Sequence, residues 1–599
     1  MDPLCSSFIS TAGVTFPHGL RPQSGAKVLP LSHRLRRTSA VLKKDGTAVP
    51  TSSSSPTYPG GKEALPALLR KLIEATPTSS LADSLRKTFE AIVDSFMAPT
   101  APLPHNDPRY VLAGNWAPVG ELPPTPCPLV RGRIPPALRG GAYLRNGPNP
   151  QHFPLGTYHH FDGDGMLHSI LLPGGGDGTA PATLCSRYVQ TYKYLVEREA
   201  GRNVFPTIFS GIHGVDGLAR HAAFAARVVT GQTELAAGLG VANTSLAFIG
   251  GRVFALEEAD LPYAVHLSPS GDVTTIGRWD FGGELSTCMT AHPKKDAITG
   301  EVFAFRCGVV PPFVTYFRFD AEGKKQPDVP IFSVSQPGFF HDFAITENYA
   351  LLFDTQIVMQ PLQMAFAGAF PLGTDSAKVP RVGILPRYAE SDCDIRWFEL
   401  PGFNPVHIVN AWEEDGGATV VLVAPNMLPM ERPLERMELV QCCVEMVRID
   451  LKSGAVSRTP LSSENLDFGV INPNYLGRRN RYAYLGVGDP QPKVGAVVKL
   501  DMEKKGGDCV VASRIYGPRR FGGEPVFVPA LVEGEGEDDG YLVTYLHDEN
   551  TRESSFLVMD ARSPDLEVVA EVSLPCRVPY GFHGLFVTAE ELRSQKGKS

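Results

Sequence analysis

The 599-residue chain lacks the signatures of several large protein classes. Its ten cysteines are scattered and form no C-x-x-C pair, which excludes a zinc ribbon and a redox dithiol and makes a reduced compartment the default. Basic residues are not in surplus: 56 Lys and Arg stand against 64 Asp and Glu, for a net charge of -8. No broad surface for a polyanion follows, so nucleic acid is not an expected partner. No apolar run approaches the roughly 20 residues needed to span a bilayer. The motifs G-x-x-x-x-G-K-[ST], G-x-S-x-G and H-E-x-x-H are all missing, and Gly174, Gly175, Gly176 and Gly178 lack dinucleotide-binding spacing and read as a hairpin loop.

What is plentiful points elsewhere. The 59 glycines and 53 prolines make almost a fifth of the chain, implying many tight turns between short elements and an all-β architecture. Residues 1–58 hold only Asp2 and Asp45 as acids, against Arg21, Lys27, Arg34, Arg36, Arg37, Lys43 and Lys44, with serines at Ser52 to Ser55. This is the composition of an organelle transit peptide, with no secretory apolar stretch near Met1. In residues 59–104, Leu65, Leu68, Leu69, Leu72 and Ile73, and then Leu81, Leu85, Phe89, Ile92 and Phe96, recur at helical spacing, the second set after a Ser80/Asp83 cap. Two amphipathic helices are predicted, packed on the main domain or lying on a membrane surface.

From residue 105 to 599 short apolar segments take over, such as 302-VFAFRCGV, 418-ATVVLVAP and 541-YLVTYLHD. Several run into a similar turn, marked by Ser268, Asp320, Asp450, Asp501 and Asp560. The markers recur at roughly 50 to 60 residues, with one step about twice as long, a period that suits the blades of a β-propeller and leaves room for about seven. Stacked sandwich domains are the alternative.

Two histidine patterns are candidates for chemistry. His160 and Asp162 form H-x-D, the start of a facial metal triad. His292, His341, His407 and His583 share no short spacing, but each lies in an apolar or aromatic stretch. A buried imidazole must satisfy both ring nitrogens, as a metal ligand or beside a carboxylate. Inner strands of propeller blades converge on one axis, where single histidines from separate blades could meet. An all-imidazole site suits iron, copper, zinc or nickel.

The stretches 144-LRNGPNP, 161-FDGDGMLH, 242-ANTSLAF, 260-DLPYAV, 342-DFAIT, 522-GGEPVFVP and 578-VPYGFHG resemble the carotenoid cleavage oxygenase family, especially its plant plastidial members, with the 9-cis-epoxycarotenoid dioxygenases as near relatives. The resemblance covers residue 108 to the end. It implies a seven-bladed propeller with iron(II) held by His292, His341, His407 and His583, and outer carboxylates Glu258, Asp467 and Glu524. The family often has Glu where this chain has Asp467; one methylene less calls for a bridging water or a shifted backbone. His160 and Asp162 are not ligands in the family. The implied reaction is cleavage of a carotenoid double bond by dioxygen in a plastid, at 9,10 (9',10'), with 11,12 cleavage of 9-cis-epoxycarotenoids or a non-catalytic scaffold as alternatives. Residues 309-VVPPFVTYF and 358-VMQPLQMAFAGAF are candidates for an apolar tunnel. The second segment and the helices of 59–104 are candidates for contact with a lipid surface, thylakoid or plastoglobule.

Overall fold

Strand Thr419–Leu428 shows how the sequence builds this architecture. Side chains alternate across a strand, so Val420, Leu422 and Ala424 pack into one apolar layer while Val421 and Val423 pack into the next. A strand buried on both faces reads as an unbroken apolar run, and 418-ATVVLVAP is one. The computed structural model describes residues 106–597 apart from 208, 210–213, 360–371, 431–433, 435 and 532–535. The transit-peptide and amphipathic-helix regions, and most of the 358–370 segment, lie outside the described residues.

Seven antiparallel sheets form the blades of a propeller, accompanied by one small hairpin, Ile357–Met359 with Leu372–Thr374. Five blades have four strands each and begin, from the inside, at Ser245–Ile249, Lys294–Lys295, Phe343–Ile345, Asn410–Glu414 and Leu466–Val470. We number these the second to sixth. The first has five strands and the seventh six. Inner strands touch between the first and second, the fourth and fifth, and the seventh and first blades, and an apolar layer fills each of the seven interfaces.

The ring closes at two places. The C-terminal strand Gly584–Val587 becomes the inner strand of the first blade, beside Ala142–Arg145. The early strands Leu122–Cys127 and Leu129–Gly132 cover the outer edges of the first and seventh blades. At the crossing Gly132 has φ +68°, and a Cβ there would strike the carbonyl of Val569, so only glycine fits.

Four of the five turn markers sit where the third strand of a blade turns into the outermost one, and Asp560 sits at the turn into Val568–Ser573, which Leu129–Gly132 covers from outside. Between Asp320 and Asp450 the chain completes the fourth blade, carries the small hairpin as an insertion and enters the fifth, which accounts for the double step. The glycine run at 174–178 joins paired strands Met166–Leu171 and Ala182–Tyr188. Strands are not the whole of this region, however: Tyr192–Ala200 and Gly214–Val229 are helices. The second is alanine-rich, which favours a helix.

Candidate metal centre

Each of the four candidate histidines stands just before the innermost strand of a blade: His292 before Lys294–Lys295, His341 before Phe343–Ile345, His407 before Asn410–Glu414 and His583 before Gly584–Val587. They belong to the third, fourth, fifth and first blades. The other three blades each supply a carboxylate at the same level, Glu258 from the second, Asp467 from the sixth and Glu524 from the seventh. Residues far apart in sequence meet because every blade delivers its inner strand to one axis.

One nitrogen from each of the four imidazoles falls within 4.8 Å of the others. His292 Nε2 and His341 Nε2 are 2.9 Å apart, and the His292 ring lies edge-to-face on His583, centroids 4.5 Å apart. On the outer side, His407 Nδ1 donates to Asp467 Oδ1 at 2.9 Å and His583 Nδ1 to Glu524 Oε1 at 2.9 Å. Glu258 Oε1 stands 2.5 Å from His341 Nδ1. A carboxylate at Nδ1 keeps the proton there, leaving Nε2 as a bare lone pair. Lone pairs converging in a buried site repel unless a cation lies between them, so the donor set fits a divalent metal.

Burial disfavours charge on these groups, but the pairs resist it. Burial pushes Glu258 and Asp467 up, yet the neighbouring His341 and His407 outweigh it and hold both carboxyls below the usual range. Burial pushes His407 down, and Asp467 more than reverses that. Among the described residues His292 has no carboxylate behind it; burial and the three neighbouring imidazoles push it well below the ordinary value. Asp467, one methylene shorter than glutamate, reaches His407 directly and not through water. The backbone moves instead: pairing shifts register between Asp467 and Val470.

A cavity of about 470 Å³ opens on His341, His407 and His583. Apart from Glu257, Glu258, Asp467 and a few neutral polar groups its walls are apolar, among them Phe161, Phe209, Phe339, Met427, Leu434, Phe468 and Phe582. From the two candidate tunnel segments, Val309 and Met359 line it. His160 is elsewhere: its ring packs on Trp116 with centroids 4.5 Å apart, and burial lowers it to about 4. Asp162 accepts the Phe209 backbone N–H. The H-x-D pair is not part of the cluster.

Two residues at the site escape the sequence reading. Asp342, directly after His341, takes Lys294 Nζ at 2.6 Å on one oxygen and the Ile408 N–H at 2.7 Å on the other. It ties together the three strands that carry His292, His341 and His407; the signal is an acid inside the aromatic run FFHDF. Glu257, next to Glu258, accepts the N–H groups of Val241 and Ala242 at 2.5 and 3.0 Å. Burial pushes its carboxyl from 4.5 to about 7.

Between those two values the folded protein holds a proton at Glu257 that the unfolded chain has lost, so this group makes stability fall as pH rises. A shift of that size corresponds to about 3 kcal/mol at 1.36 kcal/mol per unit. Glu257→Gln keeps an oxygen for both N–H groups and removes the charge. Its melting temperature should match the parent near pH ~4 and exceed it near pH ~8; equal melting at both would place the charge outside the folding balance.

A seven-bladed propeller with four imidazoles converging on its axis, braced by carboxylates from the remaining blades and fit to hold a metal, defines the class of protein. The profile of the family described as Retinal pigment epithelial membrane protein (RPE65) matches residues 116–588, and the chain belongs to this carotenoid oxygenase family. It is 63% identical over 521 residues to "9-cis-epoxycarotenoid dioxygenase NCED1, chloroplastic" of Oryza sativa subsp. japonica, covering 86% of this chain and 82% of that one. It is 56% identical over 524 residues to "Probable carotenoid cleavage dioxygenase 4, chloroplastic" of Arabidopsis thaliana, covering 86% and 87%. Among solved structures, cobalt-substituted Synechocystis ACO aligns with a TM-score of 0.66 at 26% identity, covering 80% of this chain and 99% of that one.

Proposed function

We propose that the protein is a plastid dioxygenase in which His292, His341, His407 and His583 hold iron(II) and a carotenoid double bond is split by dioxygen into two carbonyl products. The observation that carries this reading is the convergence of four imidazole nitrogens within 4.8 Å beside a mostly apolar cavity. The names of the rice and Arabidopsis relatives support the substrate class and the compartment. When bound, the iron supplies the redox chemistry that activates dioxygen toward an alkene. The chain's own residues do the rest: the apolar walls exclude water and hold the polyene, and Glu258, Asp467 and Glu524 keep each Nδ1 proton on the outer side. Glu258→Gln or Glu524→Gln should therefore lower metal affinity or activity about 10–100-fold. Metal titration and turnover assays check this, and unchanged values in both variants would remove these carboxylates from the site.

The bond we propose is 9,10 (9',10'). A second reading, 11,12 cleavage of a 9-cis-epoxycarotenoid, is favoured by the name of the rice relative. The products separate them: C9 bears a methyl group, so 9,10 cleavage leaves a methyl ketone on the ring fragment, whereas 11,12 cleavage leaves aldehydes on both. Chromatography of products from β-carotene, a xanthophyll and a 9-cis-epoxycarotenoid decides between them.

Residues 1–58 are proposed as the transit peptide, and residues 59–104 as the contact with a thylakoid or plastoglobule surface. Val309 and Val310, 58% and 68% exposed beside the cavity wall, support a lipid-facing entrance. N-terminal sequencing of the plastid protein tests the first, and flotation with liposomes the second.

A further inference from the structure

We propose that Phe468 is a positioning residue for His407 and that its ring sets which part of the polyene reaches the metal; this rests on the reading above. Phe468 has φ +55°, a left-handed conformation that a bulky aromatic residue rarely adopts. Such strain persists where the surroundings demand it and concentrates at functional sites. Here two demands are visible.

The first is the backbone. Asp467 and Val470 bracket the register shift in the inner strand of the sixth blade, a bulge that re-aims a side chain. Within it, Asp467 Oδ1 accepts from His407 Nδ1 at 2.9 Å and from the Phe468 N–H at 2.8 Å. The left-handed residue thus locks onto the carboxylate it presents. The next residue, Gly469, is held so close to the strand after His407 that a Cβ would stand 2.6 Å from Val409 Cγ2. The bulge is pinned against the fifth blade, and the short carboxylate of Asp467 reaches His407 without an intervening water.

The second is the ring. It lies with its centroid 5.5 Å from that of His407 and 5.9 Å from that of His583, and it lines the cavity. It therefore forms the wall beside two of the four imidazoles, where bulk decides how a polyene can lie.

Three variants separate these roles. Phe468→Gly accepts φ > 0 freely and has no ring; Phe468→Val keeps an apolar wall, but its β-branch resists φ > 0. In Phe468→Val the longer carboxylate of Asp467→Glu should reach His407 without the left-handed turn. Cobalt(II) affinity, measured by titration and by release to a chelator, reads the backbone role; product ratio and the split between KM and kcat read the ring. Phe468→Val should bind cobalt about 10–100-fold more weakly, the cost typical of losing an outer-shell partner, and the double variant should recover most of it. Phe468→Gly should bind metal as the parent does, with a raised KM and products from a neighbouring double bond. Parent-like affinity in Phe468→Val, or no recovery in the double variant, overturns the backbone role. Parent-like products and KM in Phe468→Gly overturn the ring role. Should Phe468→Val not fold, Phe468→Ala with and without Asp467→Glu gives the same comparison, since alanine also disfavours φ > 0. A parent protein that binds cobalt but cleaves no carotenoid refutes the functional reading alone, because the affinity measurements stand without substrate.

Discussion

Alanine at any one of His292, His341, His407 or His583 is expected to strip the protein of iron and reduce carotenoid cleavage to background. Losing only an outer-shell partner costs about 10–100-fold in metal affinity or activity; losing the ligand itself must cost more, because a lone pair and the geometry go together. The four should not be equally stable. His341, His407 and His583 each face a carboxylate, Glu258, Asp467 and Glu524 respectively, whereas the backbone N–H of His292 bonds to Thr290 Oγ1 and its ring has no acid behind it among the described residues. Removing one of the first three leaves a carboxylate without its imidazole partner, a loss of about 1–3 kcal/mol for an unsatisfied polar group. His292→Ala should lose metal and activity while melting closest to the metal-free parent. Metal analysis, product chromatography and thermal unfolding check all four, and full activity in two of them would sink the ligand set.

The fold was open to sequence reading because the blade is a repeated solution to one burial problem. Every blade needs strands apolar on both faces and a tight turn before the outer strand, so Ser268, Asp320, Asp450, Asp501 and Asp560 mark it directly. The insertion Ile357–Met359 with Leu372–Thr374 blurs the period without destroying it. The candidate site was less open. Nothing in the spacing of fifteen histidines selects four, since their common feature, a place just ahead of an inner strand, exists only once the ring is closed; here the family resemblance supplied the choice. Asp342 escaped for a similar reason: its partners Lys294 and Ile408 come from the blades on either side, and no local pattern records a contact across two blade interfaces. The shortened Asp467 raised a question that composition could not answer, because the remedy is a backbone angle at Phe468.

Asp342→Ala is expected to be among the most destabilising single changes near the site although it removes no proposed ligand. Asp342 is 6% exposed, and its two oxygens hold Lys294 Nζ and the Ile408 N–H as well as the Phe343 N–H. Truncation strands the ammonium of Lys294, whose side chain is 14% exposed, and leaves the Ile408 N–H without its acceptor. Breaking a buried charge pair from one side costs about 3–5 kcal/mol. The loss falls on the strands bearing His292, His341 and His407, so metal should leave faster even where the protein still folds. Asp342→Asn keeps an oxygen for the Ile408 N–H but gives up the charge and turns an amide NH2 toward the Phe343 N–H and Lys294, so it should add to the lost ion pair the roughly 1–3 kcal/mol of an unsatisfied polar group. Pairing Asp342→Asn with Lys294→Met removes the stranded charge and should recover stability, as replacing both members of a buried pair often does. Denaturant unfolding and metal-release rates on the four proteins check the order. A melting temperature for Asp342→Ala equal to the parent's would show that the three strands are held by their apolar interfaces alone.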